Sequence, residues 1–134
     1  GRNMKKLLII ALVLLTFVTM ASAQKQAEIK FDKLSVDLGT FPKSDPIRQT
    51  TFVFTNTGDA PLVINQAMAS CGCTVPTYTK TPVMPGQKGE IKVTYNGSAL
   101  FPGHFKKSIT IRSNATTEMV RLYIEGVMTD SNNK

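Results

Sequence analysis

The sequence has no tryptophan, one histidine and two cysteines in 134 residues. Each scarcity excludes something. A lone histidine with no Gly-x-Ser-x-Gly motif leaves no constellation for nucleophilic hydrolysis, so an enzyme is not expected. Two cysteines allow one internal pairing and rule out a disulfide framework. The missing tryptophan, with the cysteines only two positions apart, excludes the antibody pattern of a tryptophan packed on a long-range disulfide. Beyond the N-terminal region no segment holds helical periodicity through three turns, and there is no internal repeat or low-complexity linker.

There is one long apolar run, and it lies at the N-terminus. Lys5 and Lys6 follow Met4, Leu7 to Met20 is apolar apart from Thr16 and Thr19, and Ala21-Ser22-Ala23 closes the segment. Charged start, apolar middle and small-residue end form a secretory signal, with the cut expected after Ala23. The run falls short of the roughly 20 residues a membrane span requires, so no membrane span is expected once the signal is cleaved. Gln24 follows the cut, which excludes a lipid-modified cysteine there. Residues 1–3, which precede Met4, and the signal form one segment, 1–23; residues 24–134 form a single domain of about 110 residues, enough to close its own core. Loss of Arg2, Lys5 and Lys6 with the signal lowers the net charge from +7 to +4. At that charge, and without basic residues interleaved with aromatics, nucleic acid is not an expected partner. The expected location is periplasmic or secreted, where thiols end in disulfides or on metals.

The rest of the chain alternates with period two. Gln24–Ala27 reads as a loose leader. Ile29/Phe31 and Leu34/Val36/Leu38 mark two short strands, the second ended by Gly39, with Phe41-Pro42 in the loop that follows. Arg48–Thr55 is a strand with Phe52 and Phe54 in the core. Asn56-Thr57-Gly58-Asp59 reads as a turn, because these residues tolerate positive φ. Leu62–Ala67 follows, with Leu62 and Ile64 on one face. Val75–Lys80 is an edge strand, because Pro76 lacks a ladder donor. In Glu90–Tyr95, Ile91, Val93 and Tyr95 face inward. Phe101-Pro102-Gly103-His104 reads as a turn; Ile109/Ile111 and Val120/Leu122/Ile124 mark the remaining strands. Seven or eight short antiparallel strands with turns about every ten residues predict an all-β, immunoglobulin-like β-sandwich.

Cys71-Gly72-Cys73 carries the sharpest chemistry. In an extended strand the two Cβ atoms lie too far apart for a disulfide, and Gly72 allows the backbone to bend and bring them together. Four readings stay open: a local pair that shapes a turn, as a disulfide or as two half-buried residues; a soft-metal site for Cu(I) or Zn(II) on Cys71 and Cys73; thiol–disulfide exchange, although the spacer is one residue and no helix start is present; and pairing between chains. A closed zinc site takes four ligands, and His104, Met68 and Met84 stand at no recognisable ligand spacing. No other cofactor is implied. His104 reads as an exposed turn residue, Lys88, Lys92, Lys106 and Lys107 as a solvated face, and Asn96-Gly97-Ser98 and Asn114-Ala115-Thr116 as turns.

Phe52-Val53-Phe54-Thr55-Asn56-Thr57-Gly58, Pro61-Leu62-Val63-Ile64 and Ser70-Cys71-Gly72-Cys73-Thr74 together resemble the bacterial DUF1573 family. The Pro85-Gly86 turn before Glu90–Tyr95, and Ile109–Asn114, extend the likeness over nearly all of 24–134. The resemblance implies an exported immunoglobulin-like sandwich similar to cilium-associated and major-sperm-protein modules, with no established activity. The expected role is a non-enzymatic module that binds an envelope protein or surface component, the alternative being metal binding or thiol redox chemistry at Cys71 and Cys73.

Overall fold

In the computed structural model, which describes residues 24–130, eight strands form two four-stranded sheets. The expected signal with its cut after Ala23, and the tail beyond Asp130, lie outside the described residues. The strands are β1 (Ile29–Phe31), β2 (Ser35–Pro42), β3 (Ile47–Asn56), β4 (Ile64–Ala69), β5 (Thr74–Tyr78), β6 (Lys88–Asn96), β7 (Gly103–Ser113) and β8 (Met119–Thr129). One sheet has the order β1-β3-β6-β5 and the other β2-β8-β7-β4. The all-β sandwich expected from the alternation is present, and no helix occurs among the described residues. One ladder departs from the antiparallel pattern: β2 runs parallel to β8. Alternation reports which face a residue takes, not the direction of its neighbour.

Phe52, Phe54, Ile91, Val93, Tyr95, Ile109, Ile111, Leu122 and Ile124 all fill the space between the sheets, as their spacing predicts. Each such side chain contributes about 1.5–3 kcal/mol by leaving water. At one end Tyr95 stacks on Phe105 with ring centroids 4.1 Å apart, and Phe41 meets Phe105 edge-on at 5.8 Å. The Arg48 guanidinium covers the outer side of Phe41, 4.4 Å from its ring.

Several local expectations give way. Gly39 does not end its strand. It sits in a bulge between Asp37 and Thr40 with φ +81, and the chain resumes pairing with β8 beyond it. Phe41 and Pro42 are therefore strand residues, and Phe41 is core. A glycine in the left-handed region signals a bulge as well as a stop. The strand expected over Leu62–Ala67 starts at Ile64, while Leu62 makes an isolated bridge to Val83; both Leu62 and Ile64 are buried as expected. The leader is anchored. Asp59 N donates to Gln26 O (2.9 Å), Thr116 N to Ala27 O (3.0 Å), and Ala27 is buried. His104 lies on β7 opposite Val127, not in a turn, with its ring exposed and 3.8 Å from the Glu125 carboxylate.

Candidate functional site

The two sequence landmarks, Asn56-Thr57-Gly58 and Cys71-Gly72-Cys73, lie at opposite ends of the sandwich. The Asn56 side chain is fully buried, and every polar atom on it is engaged. Its Oδ1 accepts from Gly58 N (2.9 Å) and Glu28 N (3.3 Å), and its Nδ2 donates to Ala60 O (2.7 Å) and Val83 O (2.9 Å). Its main chain adds bonds to Gln87 and Gly86. One amide thus ties the start of β1, the β3–β4 connection and the β5–β6 loop together. The expected positive φ is absent: Gly58 is not in the left-handed region, and no non-glycine residue among those described is. Gly58 is required for a different reason. A Cβ there would run into the main chain of Gln26–Glu28, which packs against it. Asn114 makes a smaller copy of the clip, donating to Pro61 O (3.0 Å) and accepting from Val63 N (2.8 Å). Its amide nitrogen is thereby engaged, in keeping with the turn reading of Asn114-Ala115-Thr116.

At the other end the chain crosses from β4, an edge of one sheet, to β5, an edge of the other. Thr74 N donates to Cys71 O (3.3 Å), so residues 71–74 form a reverse turn. The turn, not an unusual glycine conformation, brings Cys71 and Cys73 together. Gly72 has no positive φ and open space around its Cα. The two sulfurs are adjacent and the Cα atoms are 5.3 Å apart. Cys73 N donates to Cys71 Sγ (3.3 Å), and Thr74 Oγ1 lies 3.5 Å from Cys73 Sγ. Asn96 N to Cys73 O (2.8 Å) and Ser70 N to Ser108 O (2.9 Å) fasten the turn to both sheets. Both cysteines are half-buried, and Cys73 packs on the core. Among the described residues no group of three or more His, Cys, Asp or Glu side chains converges here or elsewhere. His104 is on β7, Met68 on β4, and Met84 in the β5–β6 loop at the opposite end. The site therefore offers two sulfurs, fewer than the four donors of a closed zinc site.

Near this turn the β6–β7 connection presents Phe101, 93% exposed, while its neighbour Leu100 packs on the core. Tyr95, one residue before Asn96, is buried, and burial raises its phenol pKa above the ordinary value of 10.0.

Pro76 sits where its edge reading placed it, at the centre of the edge strand β5. Asn96 N donates to Cys73 O, and Thr79 N to Glu90 O (3.1 Å). With the alternation of an antiparallel ladder, odd residues of β5 bond β6 and even residues point outward. Pro76 therefore removes no ladder bond; it removes the central outward donor, which is how natural sheets blunt an edge.

Two four-stranded sheets closed over one core, with the first long strand beside the last, define an immunoglobulin-like β-sandwich. Within that class the family is specific. A family model described as "Protein of unknown function (DUF1573)" matches residues 29–128, and the chain belongs to that family. No curated protein sequence matches it. Among solved structures, a protein of unknown function from Porphyromonas gingivalis W83 superposes with TM-score 0.69 at 13% identity, over 80% of this chain and 50% of that one. This chain thus spans about half the length of that relative. The ASH/PapD-like domain 7 of human CEP192 gives TM-score 0.61 at 8% identity, over 78% of this chain and 87% of the domain. The periplasmic chaperone SfaE gives TM-score 0.53 at 10% identity, over 78% and 58%. At these identities the likeness establishes the fold alone.

Proposed function

We propose that the protein is an exported, non-enzymatic module of the cell envelope, periplasmic or secreted, cut after Ala23 and working as one domain over 24–134. Its task is to hold another protein or a surface component. The observation that carries this reading is the distribution of chemistry in the fold. The core is apolar and closed, the polar network at Asn56 is internal, and what faces solvent is the polar outer faces of the sheets, their edges and the loops at the two ends. Such surfaces bind partners through main-chain pairing and exposed anchors such as Phe101. The likeness to a periplasmic chaperone, a protein whose work is binding, agrees with it.

The test has two arms. Fractionation and N-terminal sequencing of the expressed protein are expected to find it outside the cytoplasm, beginning at Gln24. Cross-linking in intact cells is expected to trap it on an envelope component. A turnover by purified, metal-free protein that a point mutation abolishes would overturn the non-enzymatic reading, and retention in the cytoplasm would overturn the exported one.

The adjacent sulfurs of Cys71 and Cys73 support a second reading, soft-metal binding or thiol exchange. Two sulfurs suit Cu(I) better than Zn(II) here, because among the described residues no third or fourth ligand of the kind zinc takes converges on them. Mass spectrometry that counts free thiols with and without Cu(I) or Zn(II) decides it. A pair that neither reduces nor takes up metal ends this reading.

A further inference from the structure

Each sheet edge presents main-chain groups that point outward. On β3 the phase is fixed at both ends. Asn56 N donates to Gln87 O and Gly97 N to Pro46 O, both 3.0 Å, and the register with β6 is continuous between them. Even residues of β3 therefore bond β6, and odd residues point the other way. On that other side β1 pairs only with Phe54–Asn56, and the final bond is Asp32 N to Val53 O (3.0 Å). Ile47, Gln49 and Thr51 are left facing open space. The Ile47 carbonyl accepts from the Arg48 guanidinium (2.7 Å), and among the described residues no strand pairs with the other outward groups of these three.

The remaining edges are defended. β5 has Pro76 at its centre. β2 has the Gly39 bulge and then Pro42, which the bond from Lys43 N to Thr129 O places at an outward position. β4 is interrupted by a bulge between Ile64 and Gln66, and β1 is three residues long. Proline, bulges and short length are the usual devices against edge pairing. The stretch Ile47–Thr51 carries none of these three; its one charged side chain, Arg48, occupies the Ile47 carbonyl and leaves the outward groups of Gln49 and Thr51 uncovered.

Its surroundings specify what fits. β2 stands across from it in the other sheet, and a hollow of about 280 Å³ opens between Val36 on one side and Thr50–Val53 on the other, with Asp32 and Lys33 at its end. Val36 and Leu38 are half-buried core neighbours. A second copy offering its own β3 would bring a whole sandwich with it, and its second sheet would meet β2. A lone extended segment would not. Lys33 lies at one end of the stretch and Lys43 at the other, which places a positive charge near each end.

We infer that Ile47–Thr51 of β3 is a strand-accepting site for an extended segment of another protein: a tail or linker, alternately apolar and polar, with acidic flanks. The segment continues the line of β1, antiparallel to β3. Its main chain bonds Gln49 and Thr51, its apolar side chains cover Val36 and Leu38, and its polar ones lie beside Gln49 and Thr51. This rests on the protein-binding reading above and names the surface that performs it.

The probe is a seven-residue peptide, Glu-Thr-Val-Thr-Val-Thr-Glu, titrated into the ¹⁵N-labelled full chain as the expressing cell processes it. The amides of Gln49 and Thr51, with Val36 and Leu38, are expected to shift. In an antiparallel pair, residues that bond β3 share the face of Gln49, so the threonine N–H groups of the peptide point at β3 and the valine N–H groups point away. N-methylation at the threonines should weaken binding at least tenfold, while N-methylation at the valines should leave it intact. In the protein, Gln49→Pro removes one outward donor and no β6 bond, as Pro76 does on its own edge. It should abolish the shifts while preserving the amide spectrum of the core. Thr50→Pro, which breaks a β6 bond, marks what misfolding looks like.

Shifts on Ala67 and Ala69 of β4, or equal loss on methylating either set, would overturn the site. So would no shift at millimolar peptide. Concentration-dependent dimerisation that Gln49→Pro removes would assign the slot to a second copy. Protection of the Gln49 and Thr51 amides that vanishes on deleting residues 131–134 would assign it to the chain's own tail. Envelope cross-linking that survives Gln49→Pro would leave the module reading standing and discard only this surface.

Discussion

The two ends of the sandwich each carry a short polar motif, and the motifs do opposite things. At one end Asn56 is wholly enclosed, with both side-chain atoms doubly engaged to three separate segments. At the other, Cys71 and Cys73 stand half-buried in a reverse turn, engaged chiefly with each other and with Thr74. A buried amide with every bond made is a structural clip, and its removal strands several main-chain groups at once. A half-exposed pair in a turn is open to solvent and to reagents, and its removal strands little. The same family motif thus combines a part the fold cannot lose with a part it can.

That contrast can be broken experimentally. The largest effect is expected for Asn56→Ala, which leaves Ala60 O, Gly58 N and Glu28 N without their partner; unfolding in urea should show a loss of about 3 kcal/mol. Gly58→Ala comes next, at about 2 kcal/mol, because the obstacle is the Gln26–Glu28 main chain and not a flexible side chain. Hydrogen exchange should show faster exchange of the Asp59 and Thr116 amides, whose acceptors lie on that segment. The third test is alkaline pH at the cysteine end. Burial raises the Tyr95 pKa in the fold, so the unfolded chain ionises first, near pH 10, while the folded chain keeps its proton. The stabilisation is complete below that pH and declines as pH rises above it, by up to about 1.4 kcal/mol per unit. Tyr95→Phe should flatten that slope in melts from pH 8 to pH 11. The smallest effect is expected at the cysteines: a bridge across one residue constrains the unfolded chain little, so Cys71→Ser should cost no more than about 1.5 kcal/mol. A loss larger than that of Asn56→Ala would reverse the assignment of the two ends.

Much of the fold was legible because alternation is a local signal. Phe52/Phe54, Ile91/Val93/Tyr95 and Ile109/Ile111 announce their faces within a few residues, and the sandwich follows from several such stretches with no helix between them. What escaped depends on distance along the chain. Asn56 reads as a turn residue and does bond Gly58 and Ala60 close by, but its other two partners, Glu28 and Val83, lie 28 and 27 positions away. Gly58 looked like a residue chosen for positive φ, and its requirement comes from Gln26–Glu28 lying against it. Gly39 and Gly103-His104 resembled stops because glycine ends strands as readily as it bends them. For the candidate site, the sequence left four readings of Cys71 and Cys73 open and looked to Gly72 for the bend, whereas a reverse turn closed by Thr74 N and Cys71 O brings them together. The open stretch of β3 was not legible, since it exists only because β1 is short and the chain leaves at Asp32 for the other sheet.

The parallel pairing of β2 with β8 sets an order of events in folding. β8 occupies an interior place in its sheet, between β2 and β7, so β2 has no neighbour to bond until Met119–Thr129 has arrived. The contact joins residues such as Phe41 and Thr129, 88 positions apart, the kind that closes late because loop-closure entropy must be overcome first. A chain threaded N-terminus first through a narrow channel would keep that sheet incomplete until Thr129 had passed, and β2 and β8 would then be locked side by side.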